Sequence, residues 1–150
     1  MKIKKGYILL AIIAIIIYNY NNYKKLKEKE FYTNILNQHI TNIRHQDYFA
    51  IHSNLDGNLS KEISIEDIKK FTQAANIKKR DKIILNEINK DENKIELIGE
   101  LVQENGKKDI NFTIVKYENE FKVLSQKIGD NALKPSKVSF PIIENAKRAK

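Results

Sequence analysis

Three rhythms of apolar and polar positions succeed one another along the 150 residues. The first has no period. Tyr7 to Tyr18 contains six isoleucines and no polar group apart from its tyrosine hydroxyls, so a helix built there has no polar face. The second rhythm is helical. Tyr32, Leu36, Ile40, Ile43 and Asp47 fall at steps of three and four, and Phe31 and Ile35 widen the stripe. That spacing predicts an amphipathic helix over 24–52, ended by "SNLDGNLSKE" with Asp56-Gly57 as its turn signal. A further helix is predicted from Ser64 to near Asn76. Ser64 is its N-cap, Asp67 returns the capping bond, and Ile63 and Ile68 form a hydrophobic staple. Ile68, Phe71, Thr72 and Ala75 make its inner face.

The third rhythm starts at Lys82 and has a period of two. Strands are predicted over 82–89, 94–103, 109–117 and 121–128, separated by "KDEN", "ENGKK" and "ENE". Connections this short join neighbouring antiparallel strands, so the expected class is α+β: two helices on a four-stranded meander. The expected core is Ile35, Leu36, Ile43, Ile68, Phe71, Leu85, Leu97, Leu101, Phe112, Ile114 and Val123. Gly99 interrupts the second strand and reads as a bend or bulge. Residues 131–150, with Pro135 and Pro141, read as an irregular basic tail with at most one added strand around Val138-Ser139-Phe140.

The apolar opening resembles a membrane element. Counted from Ile3 to Tyr20 it is a short span, with Lys4 and Lys5 able to snorkel and with Tyr7, Tyr18, Tyr20 and Tyr23 at its borders. Small residues suited to signal-peptide cleavage do not follow it, so residues 1–23 are expected to be an uncleaved N-terminal transmembrane signal anchor. The lysines that abut the run place the amino end in the cytoplasm. Residues 24–150 are then expected outside it, in a bacterial envelope, with residues 24–130 as one α+β domain.

Composition narrows the chemistry. There is no cysteine, which removes disulfides, thiolate metal sites, thiol nucleophiles and a lipoprotein anchor. The net charge is +8, but Lys2, Lys4 and Lys5 lie before the apolar run, and beyond it lysines and acids alternate as in "KKLKEKE" and "NKDENK". That is a solvated surface. Arg44, Arg80 and Arg148 are scattered, which argues against nucleic acid as a partner.

Three groupings of side chains are candidates for a site. "DGNLSKEISIED" aligns Asp56, Asn58, Ser60 and Asp67 with positions of a calcium loop, but Lys61 stands where that loop requires glycine. His45 and His52 are seven residues apart and share a helix face, while His39 is expected on the helix surface with them; no ligand set completes a zinc site around the three. Asp47 with Tyr48 or His52, and Tyr117 as a distant partner, is the one acid–base grouping, and neighbours on a helix point about 100° apart. A Gly-x-Ser-x-Gly elbow and a glycine-rich phosphate loop are both lacking. The expected catalytic, cofactor and metal residues are therefore none.

The stretch "SIEDIKKFTQAANIKKRDKIILNEI", a helix, basic turn and long strand, together with the strand spacing after it, resembles the nuclear transport factor 2-like superfamily of cone-shaped α+β domains. The resemblance implies a helix laid over a curved sheet, and roles from ligand binding and isomerisation to envelope assembly. With no site motif, the expected function is a non-enzymatic, membrane-tethered binding or assembly module. Its expected partners are the lipid bilayer through residues 3–20 and another protein or a second copy. The alternative is a small apolar ligand held between helix and sheet.

Overall fold

A computed structural model describes residues 5–118 and 120–135. Four helices, α1 (Lys5–His45), α2 (Tyr48–Ser53), α3 (Gly57–Glu62) and α4 (Ile65–Ala75), precede five strands, β1 (Lys82–Asp91), β2 (Lys94–Gln103), β3 (Gly106–Tyr117), β4 (Glu120–Ile128) and β5 (Asn131–Leu133). The strands form one antiparallel sheet in the order β1-β2-β3-β4-β5. The fold is α+β, with one strand and two short helices more than the periodicity predicts. Residues 131–133, expected as irregular tail, are the added strand. The Val138-Ser139-Phe140 expectation lies outside the described residues.

Predicted anchor and observed helix differ in a specific way. α1 is a single helix of 41 residues, yet no helix among the described residues is long and apolar enough to cross a membrane. The transmembrane signal-anchor expectation for residues 1–23 is corrected accordingly. The uninterrupted apolar part ends at Tyr18, where Asn19, Asn21 and Asn22 follow, and at 1.5 Å per residue it reaches about 18 Å against a hydrocarbon core of about 30 Å. Only the second half of α1 belongs to the core. Tyr32, Leu36, Ile40 and Ile43 are buried, whereas Tyr7 to Tyr18 is exposed on every side.

The helical stripe predicts a helix continuing through Asp47, but the chain breaks before it. Gln46 has φ of 56°, a left-handed conformation, and Asp47 then caps α2 by accepting the Ala50 N–H at 3.0 Å. Downstream the capping prediction holds in detail. Ser64 accepts from the Asp67 N–H at 3.1 Å, Asp67 accepts from the Ser64 N–H at 3.0 Å, and Asn76 closes α4 in the left-handed region.

In the sheet, Leu85, Leu97, Leu101, Ile110, Phe112, Ile114, Val123 and Ile128 turn to one face, which the buried stripe of α1 and the inner face of α4 cover. Of the expected core residues only Ile35 is less than fully buried, and it packs against the cluster. Tyr32 joins Phe121 with ring centroids 6.3 Å apart, Phe31 joins Phe121 at 5.8 Å, and Lys90 of β1 pairs with Glu28. These contacts fasten α1 to the sheet from residue 28 onward.

Two register shifts bend the sheet, one between Leu85 and Glu87 in β1 and one at Thr113/Ile114 where β3 meets β4. Gly99 sits opposite the first, paired with Leu85. A Cβ there would collide with the Ile84 carbonyl, its carbon 3.1 Å away. Glycine is thus required by the close approach of β1.

Phe112 is 1% exposed, so Phe112→Ala should lower unfolding free energy by about 3–5 kcal/mol. Gly99→Ala should also destabilise, because the obstructing atoms are backbone. Urea unfolding of the variants beside the parent chain checks both.

Candidate functional site

Each grouping weighed from the sequence is taken apart by the fold. Asp56 was expected as an exposed turn residue and is instead buried. It caps α3 by accepting the Asn58 N–H at 3.0 Å, and its other carboxylate oxygen accepts from the Tyr117 hydroxyl. Its backbone N–H donates to the Val123 carbonyl at 2.7 Å, and Val123 N–H donates to Asn54 O at 2.7 Å. The result is a parallel bridge between Leu55 and Val123. β5 pairs only with residues 126–128 of β4, so this bridge supplies partners where β4 would otherwise present an edge.

Asp67 serves the α4 cap, Ser60 Oγ donates to Gly57 O at 3.1 Å, and Asn58 lies within α3. The positions that align with a calcium loop therefore form a helix and two separate caps. The hydrogen bond from Tyr117 to Asp56 is the first cause that raises the tyrosine above its usual pKa; burial and the aspartate charge add to it. The Asp47 grouping does not assemble either. Asp47 is an exposed cap, Tyr48 Oη donates to Gln46 Oε1 at 2.8 Å, and Tyr117 faces Asp56.

The histidines separate. His45 is exposed in the last turn of α1, and the break at Gln46 puts His52 on α2, so they share no helix face. His52 Nε2 lies 3.0 Å from Ser60 O. His39, expected on the surface, is 6% exposed. Its position was legible: 36, 39, 40 and 43 together follow helical spacing, and the imidazole belongs to the stripe as much as Ile40 does.

His39 Nε2 is 2.6 Å from Gln126 Oε1, a contact between two buried side chains. The ring meets Phe112 edge-on at 5.5 Å. Burial holds the imidazole below its ordinary pKa; the bond to Gln126 opposes this and is the smaller influence. Gln126 is itself 1% exposed, and its amide nitrogen lacks a hydrogen-bond partner among the described residues.

Beside His39, a partly open cleft of about 170 Å³ lies between α1 and the sheet, lined by Ile35, Leu97, Phe112, Ile114 and Phe121 together with Gln38 and Asn54. A second buried titratable side chain, Asp81, lines a smaller cavity of about 70 Å³ with Asn76, Lys78 and Gln103, but its carboxylate is occupied by the Lys78 N–H at 2.8 Å and the Gln103 amide at 2.7 Å. The lining of the cleft beside His39 is mixed, with Gln38, His39 and Asn54 among the apolar side chains and no carboxylate.

The larger unpartnered feature is the first half of α1. Ile8, Leu9, Leu10, Ile12, Ile13, Ile15, Ile16 and Ile17 are each at least 44% exposed, in one continuous run. Surfaces of this kind mark interaction sites. No family model, curated protein or solved structure matches the chain.

Two measurements check these assignments. Asp56→Ala removes a cap and strands a tyrosine hydroxyl, so it should cost about 1–3 kcal/mol, equally with calcium and with chelator. A calcium-dependent rise in melting temperature that the substitution removes would contradict the capping role. For His39, the folded pKa is depressed, so its contribution is complete above the unfolded value of about 6.5 and is lost as pH falls below it. Thermal melts should show the parent losing more stability between neutral and mildly acid pH than His39→Gln does.

Proposed function

We propose that the chain is a non-catalytic binding or assembly module, in which the α+β body carries the apolar first half of α1 as its docking element. The observation that carries this reading is the exposed, all-round apolar run from Tyr7 to Tyr18, continuous with a helix whose second half is core. The side chains weighed for metal binding and for acid–base chemistry support it from the other side. Asp47, Asp56 and Asp67 are occupied as helix caps, and His39 is engaged by Gln126.

A nuclear transport factor 2-like fold remains part of the proposal, supported by a helix laid on an antiparallel sheet with two register shifts. The reading of a small apolar ligand has the cleft beside His39 in its favour, but 170 Å³ is below the roughly 300–1,000 Å³ of drug-sized ligand sites. It therefore ranks second.

The docking role is tested by comparing the full chain with the double variant Ile12→Asp, Ile16→Asp in detergent-free buffer. The parent should bind an apolar-surface dye and associate. The variant should lose dye binding and become monodisperse, with the melt of the body unchanged because neither side chain is in the core. A parent chain that is monodisperse and dye-silent would remove the docking reading.

A further inference from the structure

We propose that the Tyr7–Tyr18 segment of α1 lies along an anionic lipid surface, embedded to the depth of the headgroup–acyl boundary without crossing it. The inference rests on the docking role above and names the occupant. Residues succeed one another by about 100° around a helix, so twelve consecutive apolar positions face every azimuth. A second copy of the chain would cover one side of such a helix and leave the opposite isoleucines in water. At a bilayer surface, acyl chains cover the side that faces the membrane and headgroups close over the other, so no side is left in bulk water.

Length excludes the crossing geometry, because about 18 Å of apolar helix falls well short of a core of about 30 Å. Basic groups stand at both ends: Lys2, Lys4 and Lys5 precede the run, and Lys24, Lys25 and Lys29 follow it, the last three exposed. Laid along the surface, both ends reach headgroups at one depth; inserted end-on, one basic end would be carried toward the bilayer centre. Tyr7 at one border and Tyr18, Tyr20 and Tyr23 at the other are all exposed, in the positions where amphipathic rings meet an interface. Only Glu28 and Glu30 lie near the trailing lysines, and Glu30 pairs with Lys27, so the flank stays positive toward anionic headgroups.

The test is flotation of the full chain with sealed vesicles, either phosphatidylcholine alone or phosphatidylcholine mixed with phosphatidylglycerol. Binding should rise by roughly tenfold to a hundredfold on adding the anionic lipid and fall at high salt. Ile12→Asp with Ile16→Asp should abolish it while the melt of the body stays unchanged. Trypsin added outside should cut at both lysine flanks of the bound chain. Three results would overturn the proposal: no flotation with anionic vesicles, one flank protected from trypsin, or a discrete dimer that forms equally with and without lipid. The dimer would leave the docking role intact and replace its occupant, whereas a dye-silent monomer would remove both.

Discussion

Everything in the body depends on the contact between the buried stripe of α1 and the inner face of the sheet. β2 and β3 present Leu97, Leu101, Ile110, Phe112 and Ile114 on one side, and an open sheet cannot leave that side in water. Leu36, Ile40 and Ile43 cover it, each 1% exposed. Each such side chain contributes about 1.5–3 kcal/mol on burial, more than an exposed ion pair such as Lys27–Glu30 supplies. The helix must run straight across the sheet for this, and the break at Gln46 comes after Ile43, where the stripe has done its packing. α2, α3 and the Leu55–Val123 bridge then close the exposed part of β4, with Asp56 joining the α3 cap to Tyr117.

How much of this was readable depends on whether the deciding interaction is local. The α4 cap is local: Ser64 and Asp67 are three residues apart, and both bonds form as the spacing implies. The alternation in β2 is local too, since Ile95, Leu97 and Leu101 share one face by the geometry of any strand. Asp56 is the opposite case. An Asp-Gly pair looks like an exposed turn until Tyr117, sixty-one residues away, reaches its carboxylate. The break at Gln46 was hidden for a related reason, because helical spacing continues through Asp47 while the left-handed φ there answers to capping of α2. β5 is three residues long, too short for any period to show, and its pairing is owed to β4. The candidate site was less legible than the fold. His39 could have been placed by its spacing, but Gln126 and the cleft beside it are made by tertiary packing.

The apolar run shows why composition and geometry must be weighed together. Six isoleucines in twelve residues suggest a membrane span, and a run of lysines and tyrosines on either side strengthens that impression. Length reverses it, because a span needs about twenty predominantly apolar residues, and Asn19, Asn21 and Asn22 follow only twelve. The same residues do not end the helix, since asparagine lowers helix propensity by only a few tenths of a kcal/mol. The chain therefore continues helical from the apolar run into the core without acquiring the length of a span.

That continuity has a mechanical consequence. Between Tyr7 and His45 α1 contains neither glycine nor proline, the residues at which helices bend sharply. The exposed segment and the packed segment are thus two parts of one rod, held at one end by Leu36, Ile40 and Ile43 and free at the other. Whatever engages the free part sets the direction of the helix axis, and the packed part passes that direction to the sheet. A flexible tether would let the body tumble after docking; a stiff one would restrain the tilt of the body relative to whatever the helix engaged. Docking by a stiff helix would set the axis direction as well as position, and that is the physical content the proposed binding or assembly role would have in this fold.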